Sequence, residues 1–429
     1  MERIEINRAK RFKGEFFPPS DKSISHRAVI FSSLSKGKSL IGNLLKAEDP
    51  VSTMNAFRAL GVEIDDKGEE VIVNGNGIHG LTEPTNVIDC GNSGTTIRML
   101  SGVLSGNPFF SVLTGDESLR KRPMARVINP LREMGARIIA RAEDRYPPVA
   151  IRGGNLRPAK YSMPVASAQV KSAILLAGLY AEGDTEITEP LKSRDHTERM
   201  LPAFGAEVTV EGLRVRIEGG AELKGTDIHV PGDFSSAAFF IVGALLIRDS
   251  DITIRNAGIN PTRTGLLDAL EKMGAKIEMS NMRDLSGEPV ADIHCTGEVG
   301  LKAIEITKDE IPALIDEFPI LCVAATQAEG TTTIRGAGEL RVKESDRIKS
   351  MATELRKMRA DVEEFEDGLS IKGRSTLRGA EVESYGDHRI AMAMAIAGLI
   401  AEGTTGINGV GAVNISFPGF FEIIRKMTS

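Results

Sequence analysis

Residues 167–180 read SAQVKSAILLAGLY, an unbroken run of small and aliphatic residues opened by a serine. Nearly the same phrase stands at five other places: SISHRAVIFSSL from Ser23, SGTTIRMLSGVL from Ser93, SSAAFFIVGALL from Ser235, DEFPILCVAATQ from Asp316 and DHRIAMAMAIAGL from Asp387. About 40 residues after the start of each comes a second phrase: FRALGVEI, LREMGARI, LPAFGAEVTV, LEKMGAKIEM, LRKMRADVEEF and FEIIRKM. The pair recurs about every 70 residues. That period exceeds those of thin solenoids and suits a compact βαβαββ unit. The first run has helical length and spacing. Most of the second phrases stop at Gly before a strand-like alternation such as ARIIA, AEVTV or AKIEM, as a helix followed by a strand would. Helices this rich in Ala, Gly and Ser can pack backbone to backbone. The first helix of each copy is therefore expected to be buried and the second more exposed, in an α/β fold.

A chain of 429 residues exceeds one ordinary core. Six copies divide into three and three, and the breakers Pro18-Pro19 and Pro231-Gly232 sit where that division needs them. With 41% hydrophobic and 26% charged residues, disorder is not expected. The longest apolar stretch, Ala237 to Ile247, is too short to span a bilayer, so no membrane association is expected. The N-terminal MERIEINRAK has neither signal nor transit character. Cys90, Cys295 and Cys322 are unclustered thiols, which points to a reducing, cytoplasmic setting. No CxxC or HExxH spacing calls for a metal, and no cofactor is implied. A net charge of −6 disfavours nucleic acid as the main partner. Nothing calls for a second copy, and a monomer is expected.

The polar residues that interrupt the repeats gather at helix starts, and many are cations, a pattern suited to a small anion. In Asp21-Lys22-Ser23-Ile24-Ser25-His26-Arg27, Lys22 and Ser23 fall at a helix start and Arg27 lies one turn on. An N-cap with solvated charges would also account for them. Asp89-Cys90-Gly91-Asn92-Ser93-Gly94 is neither a Walker loop nor a dinucleotide fingerprint. Alone it fits a phosphate loop or an ordinary capped helix equally well. Arg120-Lys121-Arg122 precede Pro123, which at a helix start would aim Arg122. Ser167-Ala168-Gln169 opens one helix, with Lys171 following, and Ser193-Arg194 leads into another. His388 can be structural or part of a site. Asp316 and Glu317 stand at the start of an apolar helix, where an unpaired buried carboxylate is costly. Lys343 and Arg347, four apart, are expected on one helix face beside Glu344; a salt-bridged exposed helix would read the same.

Together these segments are far more specific than any one of them. In DKSISHR, NSGTTIR, RKRPM, SAQVKSA, SRDHTERM, RVKESDRIK and GDHRIAM, the chain resembles the 5-enolpyruvylshikimate-3-phosphate synthases in order and spacing over essentially its whole length. The resemblance implies a two-domain inside-out α/β barrel of six βαβαββ copies. It implies an N-terminal lobe of 20–230 and a C-terminal lobe of 231–429 joined by 1–19, with crossings near 18–20 and 229–233. It implies transfer of the enolpyruvyl group of phosphoenolpyruvate to the 5-hydroxyl of shikimate 3-phosphate. By resemblance, Lys22, Ser23, Arg27, Ser167, Ala168 (through its backbone), Gln169, Arg194, Asp316 and Lys343 hold shikimate 3-phosphate. Lys22, Gly94, Arg122, Gln169, Arg347 and Arg389 hold phosphoenolpyruvate. Asp316 is the implied base, and Glu344 the proton donor and acceptor at C3, assisted by Lys22. Ringed by cations, Glu344 needs some burial to act as an acid. Ile415 stands where some members carry a phosphoenolpyruvate-binding Lys, so no ligand is assigned there. Glyphosate is an expected inhibitor, since Gly94 leaves room beside phosphoenolpyruvate. Closure of the lobes on the anions is also expected. A UDP-N-acetylglucosamine enolpyruvyl transferase or a non-catalytic anion binder of the same fold are the alternatives. The former uses a Cys-bearing loop near the Arg122 region, and no Cys lies between Cys90 and Cys295.

Overall fold

The computed structural model describes residues 2–297 and 300–429. The chain forms two compact units. One holds Ser20–Pro231 with Asp284–Glu288; the other holds Met1–Pro19, Gly232–Arg283 and Pro289–Ser429. No repeat pattern marks the short segment Asp284–Glu288 as belonging with the first unit.

Within the first unit each repeat builds a four-stranded sheet by one rule. The second copy runs strand Ile88–Asp89, helix Gly94–Ser105, strand Phe110–Thr114, helix Ala125–Glu133, then strands Arg137–Ala140 and Tyr146–Arg152. The opening strand pairs parallel with the next, and the closing hairpin pairs antiparallel, the fourth strand lying between the second and third. The third copy repeats this order with Lys160–Ser162, Asp184–Thr188, Arg214–Glu218 and Val208–Glu211. The first copy lacks an opening strand of its own. Ile228–His229, from the far end of the unit, fills the place and pairs parallel with Lys36–Gly42.

The second unit uses the same rule with a different loan. The fifth copy is complete, with strands Glu305–Ile306, Thr331–Ile334, Gly368–Lys372 and Asp361–Phe365. The N-terminal segment serves the other two: Arg11–Phe16 pairs parallel with Asp249–Gly258 and completes the fourth copy, and Arg3–Asn7 pairs antiparallel with Thr404–Asn408 of the sixth, whose sheet has three strands. Strands alternate exposed and buried residues, as in Arg214–Glu218, so each sheet turns one face to solvent.

The buried face covers the first helix of each copy. In Lys22–Leu34, Gly94–Ser105, Ala168–Gly178, Phe234–Leu246, Phe318–Ala325 and His388–Ile400 nearly every residue is buried. Their small residues are needed. A Cβ on Gly102 would fall 2.1 Å from the carbonyl oxygen of Ala173, so these two helices meet backbone to backbone. The second helices bury one side only: Arg347–Lys357 hides Ile348, Met351 and Leu355 and exposes Lys349. In the second unit Phe12, Phe16, Phe240, Phe417 and Phe420 form one aromatic cluster, with Phe16 and Phe240 centroids 4.2 Å apart. Burial of each ring contributes about 1.5–3 kcal/mol.

Two local expectations fail. Lys343 and Arg347 do not share a helix: the 3-10 turn Gly338–Val342 ends at Lys343, and the next helix starts at Arg347 behind its N-cap Asp346. Asp346 accepts from the Lys349 amide, and that cap competes with continuing the first turn. Pro123 likewise does not start a helix; Arg122 closes the turn Leu119–Lys121, and the helix begins at Ala125.

Candidate active site

The predicted residues of each unit gather at or just before helix starts. In the first unit Asp21, Ser93 and Ser167 cap the helices, accepting from the amides of Ile24, Thr96 and Val170. Buried side chains tie the caps together. His26 Nδ1 pairs with Thr53 Oγ1 at 2.7 Å, Thr53 with Thr96 at 2.7 Å, and Thr96 donates to Ser93 Oγ at 2.7 Å. Burial, with Lys22 and Arg27 nearby, keeps the His26 ring well below its usual value and therefore neutral.

Arg27 is buried, and its hydrogen bonds go to neutral oxygens: Thr197 Oγ1 at 2.8 Å, Ser172 Oγ at 2.8 Å and the Ser23 carbonyl at 3.0 Å. Burial pushes it down to about 10, Glu198 and Asp21 resist, and Arg194 adds to the fall. Lys22 opens its helix and reaches Asp49 at 3.1 Å. Gln169 is held on both sides, its Oε1 accepting from Arg98 at 2.5 Å and its Nε2 donating to Thr95 at 2.9 Å. Arg122 donates to Asn92 and, at 3.4 Å, to Ser118. A Cβ on Gly94 would lie 2.8 Å from Arg98 Nη1 and 3.2 Å from Arg122 Nη1, so a side chain there would push the Arg98 guanidinium away from the helix start. Ser23, Ser167, Ala168, Gln169 and Arg194 are all partly open to solvent.

In the second unit the same construction carries acids. Arg347, 1% exposed, is the node. It pairs with Asp387 through Nε at 2.8 Å, with Glu344 at 2.8 Å and with Asp316 at 3.2 Å. Burial opposes its charge, but the three carboxylates hold its proton more tightly than usual. Asp387 caps the His388–Ile400 helix through the Arg389 amide at 2.9 Å and takes Ser345 Oγ at 3.1 Å. Burial raises the Asp387 carboxyl, and Arg347 overrides that and holds it below the usual range. Arg389 reaches Asp316 twice, at its carboxylate at 3.3 Å and its carbonyl at 3.1 Å. Lys343 is pushed down to about 8 by burial, against the pull of Asp316 and Glu344. Glu344 and Asp316 keep side-chain exposures of 22% and 17%, enough for a ligand to reach them.

The structure thus brings Lys22, Ser23, Arg27, Gly94, Arg122, Ser167, Ala168, Gln169 and Arg194 to the helix starts of the first unit. In the second it brings Asp316 and Arg389 to the starts of Phe318–Ala325 and His388–Ile400, and Lys343, Glu344 and Arg347 to the start of Arg347–Lys357. Arg98 had been given no role. Its position one turn past Gly94, like Arg27 one turn past Ser23, was the available signal. Asp387 had been quoted only as a helix opener, and nothing in a single sequence shows that it fixes Arg347. His388 is buried in the first turn of its helix. Ile415 ends the short turn Val410–Ile415 and offers no cation.

Cations and acids at clustered helix N-termini, in two units of three βαβαββ copies, define a transferase class that acts on small phosphorylated anions. The model of the family EPSP synthase (3-phosphoshikimate 1-carboxyvinyltransferase) matches residues 6–424. The 3-phosphoshikimate 1-carboxyvinyltransferase of Thermodesulfovibrio yellowstonii is 57% identical over 100% of both chains, and that of Geobacter sp. strain M21 is 54% identical over 99% of each. The EPSP synthase structure from Acinetobacter baumannii superposes with a TM-score of 0.88 at 48% identity, covering 100% of this chain and 98% of that one. The chain belongs to the EPSP synthase family, and its fold is the two-domain α/β fold of that family.

Proposed function

We infer that the chain transfers the enolpyruvyl group of phosphoenolpyruvate to the 5-hydroxyl of shikimate 3-phosphate and releases inorganic phosphate, a step of the shikimate pathway towards aromatic amino acids. Membership of the family over the whole length supports the reaction. The observation that carries the site is the Arg347 node, which holds two partly open carboxylates beside three cations. An anion binder would need only the cations.

In the proposed mechanism Arg27, Arg194, Ser23, Ser167, Gln169, the Ala168 backbone and Lys343 take shikimate 3-phosphate. Lys22, Arg122, Gln169, Arg347 and Arg389, with Gly94 giving access to the helix start, take phosphoenolpyruvate. Asp316 accepts the proton of the 5-hydroxyl as its oxygen attacks C2. Glu344, assisted by Lys22, delivers a proton to C3, and a tetrahedral intermediate forms. Glu344 then removes a C3 proton as the C2–O bond to phosphate breaks. Glyphosate, an anion of similar charge, would compete for the Gly94–Arg122 corner. Phosphate release from phosphoenolpyruvate is measured with shikimate 3-phosphate, with UDP-N-acetylglucosamine and with neither. Release with the first alone is expected; release with the UDP-sugar, or none at all, refutes the assignment.

A further inference from the structure

Each helix start of the first unit carries one buried cation within its first two turns: Arg27, Arg98 and Lys171. Arg27 and Arg98 use their N–H groups on neutral oxygens. Lys171 differs, being wholly buried between two carboxylates, Glu189 at 2.8 Å and Glu198 at 2.6 Å, themselves 0% and 2% exposed. Lys171, Glu189 and Glu198 have no place in the substrate binding or the proton steps proposed above.

What this triad holds is specific. Glu189 Oε1 accepts from both the amide and the hydroxyl of Ser193, while Lys171 Nζ donates to the Ser193 carbonyl at 3.4 Å. Lys171 and Glu189 therefore grip both backbone polar groups of the residue directly before Arg194. On its other side Glu198 follows Thr197, the hydroxyl that orients Arg27 Nε. Ser172, next to Lys171, takes Arg27 Nη2 at 2.8 Å and pairs with Thr197 at 2.7 Å. One ammonium thus fastens three segments, and each bears a proposed shikimate 3-phosphate ligand or its orienting partner. Charge adds to this. Two carboxylates on one ammonium leave a negative surplus, and Glu198 is the foremost charge keeping Arg27 protonated. A buried ion triad is a poor way to stabilise a fold, since an apolar group of equal size often does as well. It is a good way to fix direction.

We propose that Lys171, with Glu189 and Glu198, is a positioning residue for shikimate 3-phosphate recognition, acting through Arg194 and Arg27. The proposal rests on the site reading above. Binding of shikimate 3-phosphate is measured by calorimetry, and steady-state constants for both substrates, on the parent, Lys171→Met, Glu189→Gln, Arg194→Ala and the Lys171→Met/Arg194→Ala double variant. Lys171→Met should weaken shikimate 3-phosphate at least tenfold with the phosphoenolpyruvate KM within about twofold. The double variant should be little worse than Arg194→Ala alone, because the two act on one contact. Additive losses, or equal losses for both substrates, would mean a purely structural role and overturn the proposal. Should Lys171→Met fail to fold, Glu189→Gln, which keeps the side-chain shape, carries the same comparison: unchanged shikimate 3-phosphate affinity in a folded Glu189→Gln overturns it too. If Arg194→Ala itself leaves affinity intact, the site reading fails instead, which separates the two.

Discussion

Lys343 offers the sharpest test of the charge arrangement. Burial pushes its ammonium down to about 8, although Asp316 and Glu344 pull the other way. At that value roughly nine in ten molecules carry the charge at pH 7 and roughly one in ten at pH 9. A bound phosphate dianion favours the charged form, so the bound value should lie well above the free one. If only the ammonium form binds shikimate 3-phosphate, the apparent affinity scales with the charged fraction. Affinity should then fall on the order of tenfold from pH 7 to pH 9, about 1.4 kcal/mol. Binding at pH 8 should take up about half a proton. Two other titrations lie outside this window. The phosphate ester completes its second ionisation near pH 6, by about one unit below it. Arg27, at about 10, begins to lose charge only above it. Calorimetry in buffers of different ionisation heat, at pH 7, 8 and 9, gives both affinity and proton count. Lys343→Arg, whose charge does not titrate here, should flatten the profile even if its affinity at pH 7 is lower. An affinity that is level from pH 7 to 9 in the parent, or the same slope in Lys343→Arg, refutes the placement of Lys343 against the anion.

The remaining expectations concern single side chains. Arg347→Met strips three carboxylates of their shared partner and should cost about 3–5 kcal/mol at pH 7, read from urea midpoints by circular dichroism. In the parent the depressed Asp387 value means its contribution is complete above the unfolded value of about 3.9 and is lost only as pH falls through the folded one, so that contribution is the same at pH 7 and pH 5.5, while the neutral His26 lowers parent and variant alike at the lower pH. In the variant a buried, unpaired Asp387 takes up a proton, and the deficit should shrink at pH 5.5; equal deficits would refute the node. Arg122→Ala should raise the phosphoenolpyruvate KM with shikimate 3-phosphate affinity unchanged, and a shift in the latter counts against the assignment. Glu344→Gln should lower kcat by about 10²–10⁴ with binding largely kept, whereas a pure KM effect denies it a proton-transfer role. Gly94→Ala pushes a methyl to 2.8 Å from Arg98 and should weaken phosphoenolpyruvate and glyphosate alike; a KM unchanged from the parent would show that the two guanidiniums are not closed over that corner when ligand binds.

Much of this architecture was legible because the repeat is written in small residues. Buried helices such as Ala168–Gly178 could be read from SAQVKSAILLAGLY, since only close-packed backbones call for so many Ala, Gly and Ser in a row. The repeat pattern alone did not show the borrowed strands, although the family resemblance implied that 1–19 belongs with the C-terminal lobe. Ile228–His229 is two residues long and Arg11–Phe16 has no preceding partner in sequence, so their pairing depends on contacts 187 and some 240 residues distant. The helix starts announced themselves through Asp21, Ser93 and Ser167, whose side chains act locally. Lys343 was misread because a four-residue spacing looks helical whether or not a cap intervenes. Asp387 and Lys171 were read as openers and passengers, since the partners that give them meaning, Arg347 and the Glu189–Glu198 pair, lie up to 40 residues away.

The two units differ in the groups they bring to their helix starts, and this suggests how the work divides. In the first unit Lys22, Arg27, Arg98, Arg122 and Arg194 gather near helix N-termini that add positive potential of their own, with Glu198 and Asp21 close to Arg27. In the second, Lys343, Arg347 and Arg389 stand among Asp316, Glu317, Glu344 and Asp387, and Asp316 and Glu344 are partly open. Cations at helix starts attract anions whatever their protonation. Open carboxylates beside cations make a poor trap but a good proton exchanger, because each has a neighbouring cation to stabilise its charged form and an arriving anion to destabilise it. Losses of cations in the first unit should therefore appear mainly in KM and shrink with added salt, as the charge that distinguishes parent from variant is screened. Losses of acid in the second should appear mainly in kcat and vary little with salt, because a proton passed over hydrogen-bond distance to bound substrate is little affected by screening.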